Sequence, residues 1–162
     1  MTTIQPRLFG VKQEQTTSDD YYTPAWVFER MGIEFDLDVS SPPGGVPWIP
    51  AKRYLTQEDD GLSAPWSGRV WMNPPFTACT PFVERFIAHA NGVCLIQMSK
   101  GKYTHRLWNT AHAVWVCDAD LKFSIGLDSG VRSDVYMPIW FAAFGDECVE
   151  AIGRLGVVRK IA

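Results

Sequence analysis

The 162 residues carry 46% hydrophobic and 20% charged side chains, enough for one domain around a single core. An aromatic content of 13%, with seven Trp, excludes a disordered chain, and no apolar run approaches the roughly 18–20 residues that cross a bilayer. Fifteen Lys and Arg against 18 Asp and Glu leave a net charge of −3, so any attraction to a polyanion must come from a local basic cluster.

Residues 1–20 are polar and aperiodic and read as a flexible N-terminal arm, ahead of a single domain over 21–162. The first ten residues hold no apolar stretch of the secretion-signal type. Four Cys without a Cys-x-x-Cys pair read as reduced core residues of a cytoplasmic protein, with no metal site. Thr23-Pro24 is a capping hydroxyl followed by a proline, which predicts a helix over 24–31 closed by Gly32. A short strand over 35–39 follows, and then a long irregular connection over 40–68, rich in Pro, Gly and charge. A strand over 69–72 stops at Asn73-Pro74-Pro75-Phe76. Thr80-Pro81 repeats the cap signal for a helix over 81–90 ended by Asn91-Gly92. A buried strand over 93–98, a helix over 103–111 and strands over 113–117 and 138–144 complete the pattern. The alternation predicts a mostly parallel sheet flanked by helices, with ligands beyond the carboxyl ends of its strands.

The Asn-Pro-Pro-Phe tip is the most informative segment. Consecutive prolines hold φ near −65° and remove two backbone donors, so the Asn73 side-chain oxygen and the Pro74 carbonyl project as stiff acceptors with an aromatic ring behind them. Two acceptors and a stacking face suit a planar group that carries an NH2. Lys100-Gly101-Lys102-Tyr103-Thr104-His105-Arg106, directly after a buried strand, is the best local basic cluster, with Lys122 and Arg132 as extensions. The three His have no metal-ligand spacing.

In this order, the motifs resemble the phage-type Dam family of S-adenosylmethionine-dependent DNA N-6-adenine methyltransferases. The resemblance runs from about Asp20 to Phe144. It rests on Tyr22-Thr23-Pro24, on Phe35-Asp36-Leu37-Asp38-Val39-Ser40, on the 54–62 stretch, on Arg69 through Phe76, and on Leu121-Lys122-Phe123 with 138–144. It implies a reduced Rossmann-like α/β methyltransferase fold without a separate target-recognition domain. Asn73, Pro74, Pro75 and Phe76 are then catalytic, holding a base flipped from DNA. Tyr22, Thr23, Pro24, Asp38 and Ser40 are cofactor residues, and Asp60 or Asp59 receives the cofactor's adenine amino group. Lys100, Lys102, Tyr103, Arg106 and Lys122 face DNA. The cofactor carboxylate is expected at the start of the 24–31 helix, beside the Thr23 hydroxyl. A phage or prophage protein acting in a bacterial cytoplasm is also implied. One departure stands out: where many members have a glycine-rich turn after the first strand, this chain has Ser40-Ser41-Pro42-Pro43-Gly44-Gly45. Two rival readings stay open at this point. One is methyl transfer to a cytosine amino group or a protein glutamine amide; the other is a catalytically silent nucleic-acid-binding module of the same fold.

Overall fold

A computed structural model describes residues 21–118, 121–127, 132–133 and 138–160, with only the backbone described at 132–133. The expected arm at 1–20 and the Arg132 side chain lie outside the described residues. In chain order the elements are β1 (Tyr21–Tyr22), α1 (Ala25–Met31), β2 (Leu37–Asp38), β3 (Val70–Met72), a 3-10 turn (Phe76–Ala78) and α2 (Cys79–His89). Then come β4 (Gly92–Gln97), α3 (Lys102–Thr110), β5 (Ala113–Val116), β6 (Phe123–Ile125), β7 (Arg132–Ser133), β8 (Ile139–Phe144), α4 (Asp146–Gly153) and β9 (Arg159–Lys160).

Six strands form the main sheet in the order β2-β3-β4-β8-β5-β9, and β1-β6-β7 form a small second sheet. The expectation of a mostly parallel sheet needs correction. β2/β3 and β3/β4 pair in parallel, but β4/β8, β5/β8 and β5/β9 pair antiparallel. β2, β3, β4 and β5 therefore point one way, while β8, inserted between β4 and β5, and β9 at the edge run against them. The physical reason lies in the connection after β5. Among the described residues it holds the short strands β6 and β7 and no crossover helix, so the chain re-enters the sheet from the edge at which it left.

Strand alternation divides the core into two layers. Trp71, Leu95, Trp115 and Phe141 face α1 and α4, whereas Val70, Met72, Ile96 and Trp140 face α2 and α3. Phe28 of α1 meets Trp71 edge-on, with ring centroids 4.8 Å apart. The connection over 40–68 is less irregular than its composition suggests. Ala51 and Tyr54 bridge Phe35 and Asp38 in parallel, and the Leu55 N–H donates to the Asp38 carbonyl at 2.8 Å. β2 is thus flanked on both sides.

Helix ends differ from their sequence signals in instructive ways. α1 begins at Ala25 with Pro24 as its N-cap and no side-chain cap, so Thr23 does not cap it; Gly32 closes it in the left-handed region at φ 62°. α2 begins two residues before Pro81, which falls in the first turn, where a missing N–H breaks no intrahelical bond. Its left-handed closing residue is Ala90 (φ 55°), one position before the expected Asn91-Gly92.

Candidate active site

The carboxyl ends of β2, β3 and β4 share one edge of the sheet, and the in-register pairs Asp38 with Trp71 and Met72 with Cys94 fix their relative heights. A chain of hydrogen bonds runs across this edge. The Ser40 N–H donates to Asp38 Oδ1 at 3.2 Å, and Ser40 Oγ donates to the Asn73 carbonyl at 3.0 Å. Asn73 Nδ2 donates to the Tyr21 carbonyl at 3.2 Å and lies 3.5 Å from Thr23 Oγ1. Tyr21 presents a carbonyl, which only accepts, so the NH2 end of the Asn73 amide must face β1 and the Oδ1 end must face away. Thr23, expected to cap α1, is instead 1% exposed and turned toward Asn73.

The proline pair then completes the corner. The Pro75 carbonyl accepts from the Ala78 N–H at 2.9 Å as the 3-10 turn begins. Among the described residues, neither Asn73 Oδ1 nor the Pro74 carbonyl receives a hydrogen bond. Two neighbouring acceptors at a strand tip are left uncommitted, while everything that orients them is tied down. Phe76 is half-buried and packs against the α1/α4 side of the core.

Asp38 is 3% exposed, and burial pushes its carboxyl up to about 7, against smaller lowering effects from the Ser40 N–H and the nearby Ser41 hydroxyl. The Ser41 hydroxyl is itself buried and completes no hydrogen bond among the described residues. A buried carboxyl whose facing donors, the Ser40 N–H and the more distant Ser41 hydroxyl, only partly offset its burial is a polar site short of partners. Asp59 and Asp60 lie on a separate turn. Asp59 Oδ2 accepts from the Thr56 N–H and hydroxyl, both at 2.8 Å. Asp60 takes the Leu62 N–H and the Ser63 hydroxyl. These bonds hold both carboxyls below the usual range. Gly61 seats the turn against the end of β2, where an added Cβ would lie 2.3 Å from the Val39 carbonyl.

Two contributors had little sequence signal. Arg85, one of many helix cations in appearance, donates to the carbonyls of Gly61, Leu62 and Ala64 and lies 4.7 Å over the Trp66 ring. Ser41 could have been noticed only as the second hydroxyl after a buried strand. In the basic segment, Lys100 and Lys102 are exposed and outside any ion pair among the described residues. Arg106 is paired with Glu84, so its charge is partly neutralised, a correction to its standing in the cluster. Tyr103 turns inward: it packs on the α2/α3 layer with its hydroxyl 3.5 Å from the Gln97 carbonyl, and burial pushes its phenol up. Lys122 is exposed just before β6. Among the described residues no three His, Cys, Asp or Glu gather into a metal-holding group, and no helix is long and apolar enough to cross a membrane.

The fold and site define a mixed α/β protein with a stiff pair of acceptors at one strand tip and a buried carboxyl at the next. The chain matches the DNA N-6-adenine-methyltransferase (Dam) family over residues 10–137, well over half its length, and it belongs to that family. A DNA N-6-adenine-methyltransferase of Haemophilus phage HP1 (strain HP1c1) is 35% identical over 82 residues, covering 48% of this chain and 46% of that protein. The matched region thus spans less than half of the phage relative.

Proposed function

We propose that this chain transfers a methyl group from S-adenosylmethionine to the N-6 amino group of adenine in DNA, with the base flipped into the Asn73–Phe76 corner. The observation that carries the reading is the pair of uncommitted acceptors, Asn73 Oδ1 and the Pro74 carbonyl. Their supporting groups are already engaged with Tyr21, Thr23, Ser40 and Ala78. An adenine amino group has two hydrogens and a lone pair delocalised into the ring, which makes it a poor nucleophile. Accepting both hydrogens at once draws the nitrogen toward tetrahedral geometry and stabilises the positive charge that develops there; preorganised polar groups of this kind contribute most in a water-poor site. Phe76 offers its face to the flipped base, a contact of about 1–3 kcal/mol in comparable stacking, set against the few kcal/mol that flipping costs.

The donor set at the end of β2 fits the cofactor. Asp38 suits an ammonium or ribose hydroxyl, and the buried Ser41 hydroxyl beside it suits a further polar group. S-adenosylmethionine, when bound, supplies an electrophilic methyl on a sulfonium. Tyr22, Thr23 and Pro24 lie beside the same edge through the contact of Thr23 with Asn73, and Asp59 or Asp60 remains the candidate for the cofactor's adenine end. Lys100, Lys102, Arg106 and Lys122 are proposed to face the DNA, with Tyr103, expected among them, packed inward behind the segment. The main sheet is, in this reading, a reduced Rossmann-like methyltransferase sheet within a single domain over 21–162, and the protein acts in the cytoplasm of a phage-bearing bacterium.

Incubation of the purified protein with methyl-labelled cofactor and either DNA or protein tests the reading directly. Label on adenine N-6 is expected. Label on cytosine or on protein alone would replace the substrate, and no transfer with intact cofactor binding would reject catalysis.

A further inference from the structure

The charges of this acidic chain are sorted in space. Residues 85–117 and 151–160 contain seven of the 15 Lys and Arg and none of the 18 Asp and Glu, and all three His lie in the first segment. The fold brings part of the two together, because β9 pairs with β5: Arg85 is held by the carbonyls of the 61–64 turn and Arg154 by the Met31 carbonyl of α1, which leaves Lys102, Arg106 and Arg159 on the α3 side. The sorting extends to the two helix layers. α4 carries Asp146, Glu147 and Glu150 on one side of the sheet, whereas α3 on the other side carries Lys102, His105 and Arg106 and no acid. Lys102, His105, Arg106 and Asn109 are spaced at helical intervals and are all exposed, so they make one outward stripe. The acid facing this stripe in an ion pair is Glu84 of α2, on Arg106.

Strand β9 adds to this face. Val158 packs into the α1/α4 core, so Arg159 points to the α3 side, and its guanidinium lies 4.9 Å over the Trp108 ring. Charges on an exposed edge strand often serve only to discourage pairing with another chain. Arg159 departs from that use, since it lies over a helix residue six positions after Lys102, about 9 Å along the axis.

We propose that the α3 face, from Lys102 to Arg159, is where the DNA duplex beside the flipped base rests, so that the duplex leans on the α2/α3 layer and away from α4. This rests on the DNA reading above and adds the side on which the duplex lies and a contact from the C-terminal strand. The test measures duplex binding against salt for the 162-residue chain and its variants, alongside methyl transfer to adenine by the wild type. Arg159→Gln is expected to make the slope of log affinity against log salt shallower by about 0.9 and to weaken binding near 0.1 M salt roughly fivefold to tenfold. Arg159→Lys keeps the charge and should keep the slope. His105→Glu, which adds a negative charge without touching Trp108, should weaken binding by a similar factor. Arg30→Gln, on α1, should change neither quantity. Wild-type slope and affinity in both Arg159→Gln and His105→Glu would overturn the docking face. If adenine is still methylated in that case, the function stands and only the docking face falls. Altered slopes without any adenine methylation would instead support the face and reject the function.

Discussion

The Asn73 side chain offers two hydrogens and one carbonyl oxygen, and β1 occupies the hydrogen end through the Tyr21 carbonyl. Asn73→Ala removes the outward acceptor while leaving the backbone bond from Ser40 in place. Methyl transfer should fall by at least about 10²–10³-fold, comparable to loss of one preorganised polar group, while cofactor affinity by titration stays within a few-fold. Unchanged turnover would remove Asn73 from the chemistry. Asp38 predicts an opposite balance between stability and function. Its carboxyl is raised to about 7 in the folded protein by burial, above an unfolded value near 4. The folded state therefore holds the extra proton between these values, and stability is full below pH 4 and lost as pH rises through 7, by at most about 4 kcal/mol. Asp38→Asn keeps an acceptor for the Ser40 N–H but cannot ionise. Thermal melts should show it more stable than wild type at pH 8 and close to it at pH 4, yet weaker in cofactor binding. Equal melting differences at both pH values would show that the burial of Asp38 does not govern stability.

At the scale of elements, the turn over 57–66 is held from outside. Its backbone carbonyls converge on one guanidinium, Arg85 of α2, and the Trp66 indole N–H donates to the Gly61 carbonyl at 2.8 Å. Arg85 lies on the helix that follows the Asn-Pro-Pro-Phe tip, so the turn and the tip are coupled through α2. Arg85→Ala leaves the Leu62 and Ala64 carbonyls without their donor, while Gly61 keeps the Trp66 indole, and should cost about 1–3 kcal/mol in urea unfolding. Gly61→Ala brings a Cβ against the Val39 carbonyl and should displace the turn at a similar cost. If Asp59 or Asp60 contacts the cofactor, both variants weaken its binding more than they slow transfer at saturating cofactor. A loss of stability with unaltered cofactor affinity would make the turn purely structural.

For the whole molecule, cofactor binding to the folded chain alone must raise stability in proportion to the logarithm of its concentration. A saturating cofactor at about 100 times its dissociation constant adds about 2.7 kcal/mol, which for a domain of this size raises Tm by several degrees. Differential scanning of the wild type should show that shift, Asn73→Ala should retain it, and Asp38→Ala should lose most of it. A shift that survives Asp38→Ala would place the cofactor away from the end of β2. The same scale holds the charge sorting: a net charge of −3 says nothing about where the cations gather. The acid-free segment over 85–117 is legible in the chain, but its union with Arg159 depends on the pairing of β5 with β9.

By itself the sequence determined the alternation of strands and helices, the strand that ends at Asn73, and the stiffness of the proline pair, because these follow from local periodicity and from the ring that fixes φ. It also pointed to Asp38 and Asn73 as members of one edge, since carboxyl ends of parallel strands meet there. Only the tertiary structure decided that Thr23 turns to Asn73 and not to the helix after it, and that β8 runs backward between β4 and β5. It likewise decided that Arg106 has a carboxylate for a neighbour, and that Arg85 holds a turn some 20 residues before it. Each of these depends on partners far apart along the chain, and a local pattern of residue types carries no information about which distant group will be within hydrogen-bonding reach.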